Sequence, residues 1–299
     1  MKTITCRNDA GLEAVFTYDH DNCEYFLVSC DGIYSVKNAV STSLNATTDG
    51  TTYNGEGLEQ RNIVITANIR RNHRQNREFL SRVFKVHSEG TFIHEEEGDR
   101  REIKYRVENI DVEEKGVLRA AVISLICTDP YFTDAEGTIK IEMSQWYDDW
   151  EFECEIPEEG MEFGHRETDT IKQVDNESTK DVGITITLEA DDEVVNPIIY
   201  NQTTNETLKL LCTMLPNDMI TIKTVEGEIT VELLRNGVVI DYNYTVDEDN
   251  DGYIQLVMGM NVIKYDADAG VEYLNVKFEY KNQYLEFPYF YPQPLFFLG

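Results

Sequence analysis

Positive charge is what this 299-residue sequence most lacks. Its 26 lysines and arginines stand against 56 aspartates and glutamates, a formal net charge of −30. A field of that sign repels phosphate and argues against tight nucleic-acid binding. No stretch approaches 18 consecutive apolar residues, which excludes a membrane-spanning helix. The opening residues 1–6 (MKTITC) hold no apolar signal-peptide core. Cysteine is confined to Cys6, Cys23, Cys30, Cys127, Cys154 and Cys212. None form a CxxC pair and no spacing suits zinc, so reduced thiols of a protein made in a cytoplasm are expected. The five histidines (His20, His73, His87, His94 and His165) give neither an HExxH motif nor a triad setting, and no Gly-rich phosphate loop occurs. Adjacent carboxylates are so numerous that Asp148-Asp149 or Glu158-Glu159 says nothing about glycoside hydrolysis. The residues therefore imply no cofactor and no catalysis.

What is present suits a folded β protein. Apolar residues make up 41%, with 17 tyrosines and 13 phenylalanines against only seven prolines. The length suits two domains of about 130–150 residues. We place them at 1–133 and 134–299. Up to Thr133 there are 16 basic and 21 acidic residues, a balance of −5; the remainder holds 10 and 35, a balance of −25. In the first half, residues 13–18 and 25–29 read as short strands, and residues 61–69 alternate apolar and polar. Between them, residues 41–60 carry the turn dipeptides Asp49-Gly50, Asn54-Gly55 and Glu56-Gly57, which reads as a protruding loop. One helix is expected. Asn72 and Gln75 suggest a capping box, Phe79, Leu80, Val83 and Phe84 make an apolar stripe, and Gly90 supplies the stop. A hairpin follows around residues 95–100, with another strand pair around 113–116. Residues 134–182 are acidic and irregular. From 183 onward, regularly spaced strands without helices predict an antiparallel sandwich.

Several segments carry a resemblance. Arg61-Asn62-Ile63 opens the long strand; a helix with Arg77, Leu80 and Phe84 follows, then Glu89-Gly90-Thr91 and residues 124–132 (SLICTDPYF). Residues 196–204 (NPIIYNQTT), 218–224 (DMITIKT) and 259–263 (GMNVI) continue the series in the second half. In order and spacing, over about residues 1–287, the chain resembles the phage distal tail protein family. The resemblance implies a mainly β fold, with a tail-tube-like N-terminal β-barrel carrying one helix and a galectin-like C-terminal sandwich. It also implies a homohexameric ring at the virion tail tip, assembled in the bacterial host cytoplasm. Its partners would be the tail tube protein, the tail-tip hub and receptor-binding or side-fibre proteins. Genome DNA would pass through the channel without specific binding. The family brings no catalytic residues. Alternatives are a host-glycan-binding module or another tail-tube or baseplate-hub subunit.

Candidate residues follow from this frame. The loop and its surroundings nominate Asp49, Tyr53, Asn54, Arg61, Arg70 and Arg74 for a subunit interface, since edge pairing satisfies backbone groups without specific chemistry. The near-balanced first half can pack against its copies, whereas a half at −25 belongs at the periphery. Residues 287–299 (FPYFYPQPLFFLG) read as an extended aromatic segment. Tyr289, Phe290, Tyr291, Phe296 and Phe297 are its candidate docking anchors. Asp247, Asp249 and Asp251 open an EF-hand-like DxDxDG run, but position 12 is Met258 where a bidentate glutamate is needed, so an acidic turn is the better reading. Galectin-type sugar binding, as that family implies, needs a His-Asn-Arg cluster and a stacking Trp. Here the second half has only His165, and Trp146 and Trp150 precede the sandwich strands. The cationic set around the helix (Arg70, Arg71, Arg74, Arg77, Arg82 and Lys85) could touch passing DNA, but a solvated face, or salt bridges to Glu95–Glu97 and Glu113-Glu114 of a neighbour, is the better reading. His94, beside Glu95–Glu97, reads as part of an exposed charge run.

Overall fold

The computed structural model describes residues 2–286 except 20, 22, 46–47, 116–117, 148–164, 169, 226–227 and 251–253. The chain divides into two units, one of residues 1–136 joined by 284–286, the other of 137–283. Tyr284, Leu285 and Glu286 group with the first unit and not the second.

The first unit contains β1 (Thr3–Asn8), β2 (Glu13–Thr17), β3 (Tyr25–Asp31), β4 (Asn38–Leu44), β5 (Thr51–Leu58), β6 (Arg61–Ile69), α1 (His73–Val83), β7 (Glu89–Glu96), β8 (Asp99–Lys115), β9 (Leu118–Cys127) and β10 (Phe132–Asp134). Seven of these strands close a barrel in the order β8-β7-β1-β2-β3-β6-β9 and back to β8. Closure leaves no strand edge in the ring. Sequence alternation sets the wall: Ile63, Ile65, Ala67 and Ile69 are buried while the residues between them face outward. With Ile4, Phe16, Leu27, Phe92, Tyr105 and Ile123 they fill the interior. Across β2 and β3 the pairing is parallel, over Phe16–Tyr25 and Thr17–Phe26.

Helix α1 closes the core with Leu80 and Val83, and Phe84 follows at its end, all fully buried. The Phe84 ring lies 6.2 Å from Phe16 and 6.3 Å from Tyr105. Burying each such side chain contributes roughly 1.5–3 kcal/mol. The apolar stripe is as expected, but the ends of the helix are not. Asn72 sits in the left-handed region (φ 44) and makes no side-chain cap; its carbonyl accepts the Asn76 N–H at 3.0 Å. Gly90 does not stop the helix but lies inside β7, where a Cβ would collide with the Arg7 carbonyl and the Tyr105 ring.

Strand β8 is a single 17-residue strand, where the sequence suggested two shorter ones. A bulge between Val107 and Asn109 lets its first part pair with β7 and its second with β9.

The second unit is a sandwich. One sheet has six strands in the order Ile139–Glu142, Leu274–Tyr280, Thr185–Ala190, Met219–Val225, Glu228–Arg235 and Val238–Asp241. The other is built from Ile171–Asn176, Gly259–Ala269, Val194–Asn201 and Glu206–Lys209, with Thr213–Met214 also paired to Val194–Asn201. Ile186, Leu188, Ile220, Ile222, Tyr265 and Phe278 are among the side chains packed between them. Asp218 is buried and accepts bonds from the Arg235 guanidinium and, at 2.7 Å, from the Leu215 N–H. The Arg235 bond is the main reason its carboxyl pKa lies below the ordinary value.

Candidate functional site: an exposed hairpin arm and its root

Residues 41–60 are not a loop. Strands β4 and β5 pair with each other alone, from Asn38↔Leu58 to Leu44↔Thr51, as a separate two-stranded sheet. Nearly every residue of the two strands is exposed, on both faces. Threonine, serine and valine suit extended backbone, but nothing apolar alternates because neither face is buried. A lone two-stranded hairpin is marginally stable in water. This one is held together by short polar contacts, such as Thr52 Oγ1 to Asn45 Oδ1 at 2.6 Å and Asn38 Nδ2 to Glu56 Oε2 at 2.7 Å. Val40, Leu44 and Tyr53 stand in solvent.

The arm's root is fixed by Arg61, the first residue of β6. Its side chain is buried, and it donates to five backbone carbonyls: Gly32 and Ile33 at 2.8 Å, Pro130 at 3.0 Å, Ser35 at 3.1 Å and Leu285 at 2.6 Å. The guanidinium also lies 4.9 Å from the Phe132 ring centre. Burial lowers the Arg61 pKa from its ordinary value, yet a guanidinium stays charged in proteins. One cation thus ties together the segment leading into the arm, the turn after β9 and the returning residues 284–286. Arg101 makes a second tie, donating to the Glu286 carbonyl at 2.5 Å with its guanidinium over the Tyr284 ring. Beside the root, a cleft of about 360 Å³ is bordered by Ser35, Lys37, Glu59, Gln60 and Pro130. The arm is therefore anchored through its two connectors, and Glu59 N–H to Lys37 C=O at 2.9 Å closes them.

The structure separates the nominated interface residues. Asp49, Tyr53 and Asn54 are on the arm and exposed, with Asn54 accepting from Ser43 at 3.3 Å. Arg61 is withdrawn from the surface. Arg70 and Arg74 are exposed at the opposite end of β6, about 26 Å away for a nine-residue strand. Arg70 stacks near Phe26 (5.6 Å) and Arg74 pairs with Glu78 (3.3 Å) on its own helix. Residues 287–299, with all five docking candidates, lie outside the described residues.

His94 departs from its expected exposed role. It is fully buried, with Nε2 3.7 Å from Glu96 Oε2. Glu96 accepts from Tyr34 Oη at 2.8 Å, and Lys2 reaches Tyr34 Oη at 3.3 Å. Burial, aided by Lys2 and opposed by Glu96, pushes the His94 pKa down to about 4. Among the described residues no cluster of His, Cys, Asp or Glu could hold a metal ion. Asp247 instead accepts the Asp249 N–H at 3.1 Å in a local turn, and Asp251 lies outside the described residues. Trp146 pairs with Arg166, and Tyr147 with His165, in a short hairpin; Trp150 is outside the described residues. The described cysteines are free, and Cys154 is outside them.

No protein-family model and no curated protein matches the sequence. Solved structures do match the fold. The Dit (gp 19.1) protein of phage SPP1, described as a paradigm of hub adsorption apparatus in Gram-positive-infecting phages, is 12% identical. It has a TM-score of 0.63, with 94% of this chain and 98% of that one covered. Chains of the phage P2 baseplate in its activated conformation, with calcium and with strontium, are each 8% identical, with TM-scores of 0.46 and 0.45. Each alignment covers 96% of this chain and 100% of that one.

Proposed function

We propose that this chain is a structural protein of a phage or phage-like tail tip, of the distal tail family, and not an enzyme. Six copies close a ring that continues the tail channel. The second units hold adsorption proteins at the periphery, and genome DNA passes through without specific contacts. The observation that carries this reading is the arm, a hairpin from Asn38 to Leu58 with both faces in solvent. Such a hairpin gains stability by lying on a second surface. In a ring that surface belongs to the next copy, because a heterologous contact closes when its rotation permits. The whole-length likeness to the SPP1 hub protein supports the same reading at the level of the fold. The charge split agrees, since the first half sits near balance while residues from 134 onward carry −25.

Native mass spectrometry with electron microscopy tests it. The full chain gives six copies in a ring at high concentration or with a tail partner. A variant with residues 38–58 replaced by Gly-Gly keeps the barrel and stays monomeric. A full chain that remains monomeric under both conditions, or an arm-less chain that still forms rings, sinks the proposal.

A further inference from the structure

The sequence holds two Asn-Gly pairs, Asn54-Gly55 on the arm and Asn236-Gly237 between the strands Glu228–Arg235 and Val238–Asp241. In such a pair the glycine's backbone nitrogen can reach the asparagine's side-chain amide carbon and close a small ring with it. Glycine, without a Cβ, leaves that approach open. Both reacting groups belong to one chain, so the attack is intramolecular and needs no enzyme. In a folded protein the brake is backbone that cannot turn to bring nitrogen and carbon together. The two pairs differ in that brake.

Asn236 and Gly237 are both left-handed (φ 53 and 77) and form a two-residue turn closed by the pair Arg235↔Val238, in a six-stranded sheet. Opening it pulls on a strand whose Leu233 is buried in the core. Asn54 has no such restraint. The arm pairs Ser41 with Gly55 and Thr42 with Tyr53, which leaves Asn54 as the extra residue of a bulge, opposite no residue of β4. Gly55 has φ 145, and a Cβ built on it would meet no atom within 4 Å. The hairpin pairs only with itself and buries neither face, so its local opening costs little. The Ser43 hydroxyl donates to Asn54 Oδ1 at 3.3 Å. That bond draws electron density from the carbon to be attacked.

We propose that Asn54 is a self-modification site, converting to aspartate and isoaspartate in free copies, and that conversion bars those copies from assembly. The second half rests on the ring reading. The Gly55 nitrogen bonds to Asn54 Cγ and gives up its proton; the Cγ–Nδ2 bond breaks, and Nδ2 leaves as ammonia with that proton. Water then opens the succinimide ring. Opening at the side-chain carbonyl gives aspartate, and opening at the main-chain carbonyl gives isoaspartate. One water enters, one ammonia leaves, and nothing is oxidised or reduced. Residues 38–58 hold two carboxylates, Asp49 and Glu56, and no cation. The product adds a third negative charge, which repels an acidic neighbour. Isoaspartate also lengthens the main chain inside β5, so the pairings on the two sides of the bulge cannot both hold. In a ring the arm lies on a neighbour, which suppresses opening and keeps Asn54 intact.

Peptide mass spectrometry reads the site. Trypsin cuts after Lys37, Arg61 and Arg235, so each Asn-Gly pair falls in its own peptide, and conversion adds one dalton. In the full chain, kept dilute at mildly alkaline pH, Asn54 converts at least tenfold faster than Asn236. An unchanged Asn54, or equal rates at the two asparagines, overturns the site. A half-converted sample is then concentrated and its ring and monomer fractions are mapped separately. Converted peptide collects in the monomers, and Asn54→Gln chains aged in the same way still form rings. An equal share in both fractions overturns the second half, as does an equal loss of rings by the glutamine variant. A fresh chain that forms no ring sinks the ring reading and the second half with it, while the site still stands or falls on the mass shift alone.

Discussion

Replacing Arg61 by methionine isolates the device that holds the arm. The substitution keeps most of the volume and removes five donated hydrogen bonds. A bond from a charged donor contributes roughly 1.5–3 kcal/mol net, which as a simple sum would exceed 7 kcal/mol. The sum overstates the loss, because four of the five bonds are only part-buried and their carbonyls can turn to water. Only the Ile33 carbonyl loses its partner in a buried place. Methionine also avoids the desolvation cost of a buried cation, so the expected loss is about 3–5 kcal/mol. For a unit of this size that lowers the melting temperature by roughly 10 °C. Differential scanning calorimetry on the full chain measures it, and limited proteolysis across residues 32–37 shows whether the arm's root has loosened. Arg61→Lys falls closer to the methionine variant than to wild type, because an ammonium with three donors cannot serve five carbonyls in three segments. A fall of less than about 2 °C for Arg61→Met, with the root still resistant to protease, refutes the account.

Three further outcomes are expected. His94 titrates at about 4 when folded and about 6.5 when unfolded. Its neutral burial therefore costs nothing above pH 6.5 and removes about 3 kcal/mol as pH falls to 4; His94→Leu flattens that part of a urea-melt pH series, and an unchanged slope rejects the assignment. Asp218, whose carboxyl is held below its ordinary pKa chiefly by Arg235, stabilises the second unit above about pH 4 and loses that effect as pH drops through its lowered value. Asp218→Asn costs about 2–3 kcal/mol at pH 7 by chemical denaturation, discounted because Arg235 is partly exposed. Gly90→Ala, forcing a Cβ against the Arg7 carbonyl and Tyr105, destabilises the barrel by more than about 1 kcal/mol in the same assay.

Legibility in the sequence follows burial. Strand β6 and the stripe of α1 were readable because one face of each is buried and periodicity records it. The arm reads as a loop because its strands bury neither face, so no alternation marks them. Residues 99–115 broke into two segments at the bulge that reverses the pattern around Glu108. The role of Arg61 left no trace either. Its five hydrogen bonds all go to backbone carbonyls, so no complementary acidic residue marks them in the sequence. His94 was hidden by the acidic residues that follow it, although β7 buries Phe92, Ile93 and His94 in succession.

The return of residues 284–286 to the first unit also sets a clock. Arg61 and Arg101 reach the carbonyls of Leu285 and Glu286, which a ribosome delivers only after the whole of residues 137–283 has been made. At about 5–20 residues per second, those 147 intervening positions take on the order of 10–30 s. During that interval the barrel core can condense around Phe16 and Phe84, while the arm's root lacks one of its five ties. If copies associate through the arm as proposed, a nascent chain is least ready to engage another copy while it is still being synthesised.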